Sequence, residues 1–138
     1  MRLVVDANIA FSLLKKGSFT RKLALEHRDL ELISHPKIIE EVTEHSSELC
    51  FKLGVAEEKF EKLTKALARS ISLKKVSPQQ INRAKSLISD PEDAPYLALA
   101  LNSGTDIWSN DPHLKEQSIV RVFSTEELVE ELKSSKGW

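Results

Sequence analysis

Short apolar, β-branched runs alternate along this chain with longer segments whose apolar residues recur at helical spacing, and that alternation predicts its elements. Arg2-Leu3-Val4-Val5 is too short for a helix and is cut off by Asp6-Ala7-Asn8, so it predicts a first, central strand. Ile9, Phe11, Leu13 and Leu14 then begin a helical segment that stops near Lys16-Gly17, and Ser18 can cap a second helix. Residues 31–34 predict a second strand. Pro36 opens a helix whose apolar positions Ile38, Ile39, Val42, Leu49 and Leu53 run as one element to Gly54. Residues 57–72 predict the most polar helix, with Phe60, Leu63, Leu67 and Ile71 as its narrow apolar stripe.

Residues 73–76 predict a third strand, and Ser77-Pro78 opens the next helix. Asp90-Pro91-Glu92-Asp93 starts another, which is small and apolar almost all round to Gly104 and so belongs against the sheet. Residues 106–109 and 119–123 predict the fourth and fifth strands. Ser124-Thr125-Glu126-Glu127 carries the capping signature of a last helix. Strands alternating with helices predict one domain over residues 1–138, a three-layer α/β/α fold around a mostly parallel sheet of four to five strands.

Composition narrows the class. The chain is 41% hydrophobic and 30% charged, the balance of a folded domain rather than a disordered one. No apolar run approaches the roughly 20 residues that span a bilayer, and the start enters a strand without a signal-peptide pattern, so a cytoplasmic protein is expected. The single Cys50 excludes an internal disulfide and a cysteine-based zinc site. The formal net charge of −1 lacks the basic excess usual in nucleic-acid binders, though bound cations can reverse the sign locally.

The candidate chemistry is acidic. Asp6 follows the first strand, Glu41 lies in the helix after the second, Asp93 opens the apolar helix, and Asp111 follows the fourth strand. In a doubly wound sheet these positions share the C-terminal edge, where ligands bind. Carboxylates brought together raise one another's pKa, and a hard divalent ion such as Mg2+ or Mn2+ removes the conflict. Two such ions can stabilise the attacking and leaving oxygens of a phosphodiester cleavage. No competing nucleophile appears: there is no Gly-x-Ser-x-Gly elbow and no Gly-rich phosphate loop after the first strand.

Each residue also has a structural reading. Asp90-Pro91 and Asp111-Pro112 look like helix N-caps followed by proline, and Asp93 suits a helix N-terminus by charge alone. Glu41 alone would be a solvated helix residue. Asp6 is different, because a carboxylate directly after a buried strand is costly unless something pairs with it.

Taken together these stretches resemble the PIN-domain nucleases, including the VapC-like toxins. Leu3-Val4-Val5-Asp6-Ala7-Asn8 resembles their first motif, and Ser34-His35-Pro36-Lys37-Ile38-Ile39-Glu40-Glu41-Val42 their second. Asp90-Pro91-Glu92-Asp93-Ala94-Pro95-Tyr96-Leu97-Ala98-Leu99-Ala100 is similar to the third, and Gly104-Thr105-Asp106-Ile107-Trp108-Ser109-Asn110-Asp111-Pro112-His113-Leu114 to the fourth. The resemblance implies a ribonuclease using one or two Mg2+ or Mn2+ ions held by Asp6, Glu41, Asp93 and Asp111, with Asn8 and Ser109 as supporting polar groups. It implies hydrolysis that leaves 5′-phosphate and 3′-hydroxyl ends. Glu40 competes with Glu41 for the second motif, where the aliphatic Val42 favours Glu41; Asp90 competes for the third. Single-stranded or loop RNA is the expected substrate, and a homodimer paired with an antitoxin protein the expected assembly. RNA processing is an equal role on these motifs.

Lys74, Lys75 and Arg83, with Arg69 and Lys85, are candidates to touch an RNA backbone, although a solvated face explains any such charge run. His27, His35, His45 and His113 show no paired metal spacing and read as surface residues, His35 and His113 lying near motifs. Trp108 reads as core, and Trp138 as a terminus or a dimer contact. Two other classes compete with a nuclease. One is a PIN-fold binding or scaffold protein with weak catalysis. The other is a phosphohydrolase with Asp6 as covalent nucleophile, which Asn8 in place of a second acid argues against.

Overall fold

The computed structural model describes residues 1–135, and Trp138 lies outside them. Its strands are β1 (Arg2–Val5), β2 (Glu31–Ser34), β3 (Ser72–Leu73), β4 (Asp106–Trp108) and β5 (Val122–Phe123). All pair in parallel, in the order β3-β2-β1-β4-β5. The apolar run at the N-terminus explains the centre: Leu3, Val4 and Val5 are fully buried, as a strand covered on both faces requires. The chain builds outward from β1 through β2 to β3, then returns to β4 on the other side of β1. The order therefore reverses between β1 and β4, and a crevice opens at their C-terminal ends.

The helices are α1 (Ala7–Leu14), α2 (Phe19–Glu26), α3 (Lys37–Glu44), α4 (Ser46–Leu53), α5 (Glu57–Ser70), α6 (Pro78–Lys85), α7 (Ala94–Ser103) and α8 (Thr125–Ser135). They flank the sheet to give three α/β/α layers. Residues 94–100 of α7 are all buried; the helix packs on β1, β4 and α6, as its all-round apolar sequence predicts. It ends at Gly104, whose φ of +62° is a left-handed conformation that glycine adopts without a Cβ penalty. Among the described residues no helix is long and apolar enough to cross a membrane.

Several elements differ from the sequence pattern: besides small shifts at the ends of α1, α5 and β4, three changes stand out. The single helix expected to run to Gly54 breaks at His45 into α3 and α4. Thr43 turns its hydroxyl back to the Ile39 carbonyl at 2.8 Å, and the polar Thr43–Ser47 stretch competes for backbone groups. The third strand is residues 72–73 rather than 73–76; beyond it only the Lys74 amide reaches β2, at Ser34 O, 2.9 Å away. The fifth strand is residues 122–123 rather than 119–123. There the Gln117 side chain takes the Val120 amide, at 2.8 Å, and also donates to the Val120 carbonyl, at 3.0 Å, so the Val120 N–H is not free for a ladder with β4.

Candidate active site

Asp6 ends β1 and starts α1. Its extended backbone lets Oδ1 accept the Ile9 amide at 3.0 Å, so it is a helix N-cap, and α1 begins at Ala7 rather than near Ile9. The cap uses only one oxygen. Oδ2 accepts the hydroxyl of Ser109, which follows β4. The Ser109 oxygen in turn accepts the Asp111 amide at 3.0 Å, locking the ends of β1 and β4 together. Ser34 at the end of β2 ties the third strand end in, donating to Val5 O at 2.7 Å. Burial raises the Asp6 carboxyl pKa, the Ser109 and Ile9 donors oppose it, and the charge of Asp111 adds to it.

Asp93 closes a 3-10 turn (Pro91–Asp93) ahead of α7 and is 8% exposed. Its carboxyl is pushed up to about 7, first by burial and then by the charges of Asp111, Asp90 and Asp6. Glu41 reaches toward the same place from the second turn of α3. Burial raises its pKa, while Lys37 and Tyr96 lower it and Glu92 and Asp6 raise it. Asp6, Glu41 and Asp93, with Asn8, line a cleft of about 140 Å3 that Phe11, His45 and Tyr96 complete. Asp111 does not line this cleft; it is close enough to act on Asp93 and is joined to Asp6 through Ser109.

The structure thus brings all four predicted carboxylates to one edge and separates the two ambiguous neighbours. Glu40 is exposed, whereas Glu41 faces the cleft. Asp90 caps the 3-10 turn through Glu92, at 3.0 Å, as a capping reading expects, and also borders Asp93. Asn8 is exposed at the cleft mouth. Lys74 and Lys75 are exposed beyond β3, with Lys75 close enough to act on His35. Arg83 does not join them: it lines a separate recess of about 200 Å3 with Gln80 and Asn102.

Lys37, Tyr96 and His45 were not singled out for the site from sequence. Lys37 Nζ lies 3.7 Å from Glu41 Oε1 and 2.7 Å from Glu92 Oε2. Burial disfavours its charge, but the bond to Glu92 and the fields of Glu92 and Glu41 outweigh it, and its pKa is raised. Its i,i+4 spacing to Glu41 was the available signal. Tyr96 gave no such signal, lying in a helix that reads apolar throughout. Its hydroxyl pKa is raised by burial and then by Glu41.

The residues present fit a cation. Glu41 Oε1 and Asp93 Oδ2 are buried with no hydrogen-bond partner, and hard oxygen donors converge without enough protein donors to satisfy them. A larger groove of about 350 Å3, lined by Leu13, Leu25, Leu63 and Leu67, contains no carboxylate and cannot serve this chemistry.

A parallel α/β/α sheet with a carboxylate crevice at its strand-order reversal defines the class. The profile of the PIN domain family matches residues 4–133, and the chain belongs to that family. Its fold is similar to that of a chain in the crystal structure of VapBC2 from Rickettsia felis bound to a DNA fragment from their promoter. That likeness has a TM-score of 0.67 at 13% identity, over 90% of this chain and 98% of that one. Among curated proteins, none matches by sequence.

Proposed function

We propose that this PIN domain is a Mg2+- or Mn2+-dependent endoribonuclease that hydrolyses phosphodiester bonds in single-stranded or loop RNA. The observation that carries the reading is the convergence of Asp6, Glu41 and Asp93 on one cleft, with Asp111 beside Asp93, leaving Glu41 Oε1 and Asp93 Oδ2 without a hydrogen bond. Asp6, Glu41, Asp93 and Asp111 would hold one or two ions. Bound there, a divalent cation supplies Lewis acidity toward a phosphate oxygen and acidifies water.

The chain's own residues do the rest. Ser109 and the Ile9 amide hold Asp6 in one orientation. Lys37, tethered by Glu92, keeps Glu41 beside a positive charge and so favours its ionised form. Asn8 at the mouth offers an amide to the scissile phosphate. A cleft of about 140 Å3 admits a backbone phosphate but not a duplex, which favours unstacked RNA. Lys74 and Lys75 would add a sequence-independent backbone contact. The fold likeness to a chain of a VapBC complex favours a toxin role with a protein antitoxin as partner, and a homodimer is part of the same reading.

The test is cleavage of labelled single-stranded RNA with Mn2+, with and without chelator, by the wild type, Asp6→Asn and Asp93→Asn. Cleavage is expected only in the wild type with metal. Equal activity in all three proteins overturns the metal-carboxylate reading. A wild type that neither cleaves nor gains thermal stability from Mn2+ returns the scaffold reading.

A further inference from the structure

Beside the cleft, Asp90, Asp93 and His113 each offer a ligand atom, and the three atoms lie within 4.8 Å of one another. Two 3-10 elements put them there. Asp90 caps the turn Pro91–Asp93, and Asp111 caps the turn Pro112–Glu116 that carries His113. Ser89 donates to Glu116 Oε1 at 2.7 Å and fastens one to the other. Asp111 Oδ1 accepts the His113 amide at 2.9 Å and lies 3.1 Å from the ring Nδ1. A carboxylate against an imidazole nitrogen is the usual device for orienting a metal-ligating histidine.

Asp93 provides the independent sign of a ligand. It is 8% exposed, and its Oδ2 has no hydrogen-bond partner. It also belongs to two groups, with Asp6 and Glu41 around the cleft and with Asp90 and His113 beside it. A carboxylate has two oxygens and can serve two ions at once. At bonds of about 2.1 Å, adjacent ligands of an ion are about 3 Å apart and opposite ones about 4.2 Å, so the three atoms would close toward an ion that they share.

We propose that Asp90, Asp93 and His113 form a second divalent-cation position that shares Asp93 with the cleft, and that its imidazole nitrogen selects a first-row transition ion over Mg2+. The inference rests on reading the cleft as a cation site. Mg2+ demands oxygen ligands, whereas transition ions accept imidazole, so the two positions would differ in selectivity. His113 lies on the surface, with its side chain 55% exposed, and can be replaced without opening the core.

The experiment titrates the full chain with Mn2+ in excess Mg2+ and follows bound Mn2+ by pulsed electron paramagnetic resonance. The expected result is one Mn2+ per chain that resists Mg2+ and shows modulation from a directly bonded nitrogen. His113→Gln should abolish the modulation and weaken that ion at least tenfold. Asp90→Asn should weaken it while keeping the helix cap, since asparagine also caps. Asp6→Asn should leave the modulation in place. Mn2+ bound without nitrogen modulation, or with modulation that survives His113→Gln, overturns the second position and leaves the cleft site standing. No bound Mn2+ at all, even without Mg2+, overturns both.

Discussion

Ser109 and Asp6, 103 residues apart in the chain, are joined by a hydrogen bond from the Ser109 hydroxyl to Asp6 Oδ2. The same hydroxyl oxygen accepts the Asp111 amide at 3.0 Å, so one side chain sets the position of two carboxylates. Ser109→Ala leaves the Asp6 oxygen without this donor, buried at 3% exposure. The expected cost is about 1.5–3 kcal/mol, the range for a hydrogen bond to a charged group. Chemical denaturation of the metal-chelated protein measures it. A loss within error of zero would show that the hydroxyl does not hold the carboxylate.

A second clamp sits one layer further back. Thr125 Oγ1 accepts from Trp108 Nε1 at 3.0 Å and from Asn110 Nδ2 at 3.1 Å, while Asn110 Oδ1 accepts the Thr125 amide at 2.8 Å. This ties α8 to the loop that carries Ser109 and Asp111. Thr125→Val keeps the volume but leaves the buried indole N–H unpaired, at an expected cost of about 1–3 kcal/mol. Denaturation followed by tryptophan fluorescence reads both the stability and the changed setting of Trp108. Thr125→Ser, which keeps the acceptor, should lose much less.

Much of this was legible in the sequence because it follows from local chemistry. A β-branched run ended by Asp6, and a proline-led turn before an all-apolar helix at Asp93, place two carboxylates wherever the sheet is assembled. Ser109 was named as a supporting polar group through the family resemblance, but the pattern put it inside the fourth strand rather than after β4. What the pattern could not show depends on distant partners. Gln117 takes the backbone groups of Val120 and shortens β5, and nothing in the apolar run 119–123 signals that. The break at His45 lies within a continuous helical spacing of apolar residues. Asp111 lies near its partners but outside the cleft, where it caps the turn Pro112–Glu116.

Lys37 stands 3.7 Å from Glu41 Oε1, with its side chain only 22% exposed, and so acts in two opposite directions on a cation. Its ammonium repels an ion at Glu41, yet it also helps keep Glu41 ionised. In Lys37→Met at about pH 8, the repulsion is gone. Mn2+ should then bind about fivefold tighter, an effect on the order of 1 kcal/mol. Toward pH 5 the variant should lose Mn2+ more steeply than the wild type, because Glu41 keeps its proton to higher pH. Calorimetric titration at the two pH values gives the comparison. An unchanged affinity at both would mean that Lys37 serves only to hold Glu92.

The carboxylate cluster makes the metal-free protein sensitive to pH, and the sign follows from proton binding. A carboxyl whose pKa is raised by folding keeps a proton that the unfolded chain has released. For Asp93 this stability is fully present below the unfolded value of 3.8 and is lost as pH rises through about 7. Asp6 and Glu41 are raised as well and act in the same direction. His35 opposes them: burial lowers its pKa below 6.5, so the folded chain holds its proton less tightly and its contribution grows as pH rises through that range. The Asp93 shift spans this window, so the chelated protein should melt at lower temperature at about pH 8 than at about pH 5. Asp93→Asn should flatten that slope, and His35→Asn should steepen it. Saturating Mn2+ should reverse it, because the ligands bind an ion only when deprotonated. Thermal melts across the range, with chelator and with Mn2+, decide the matter. A chelated wild type whose melting temperature rises with pH, and which Asp93→Asn does not alter, would mean that the four carboxylates are not held against one another.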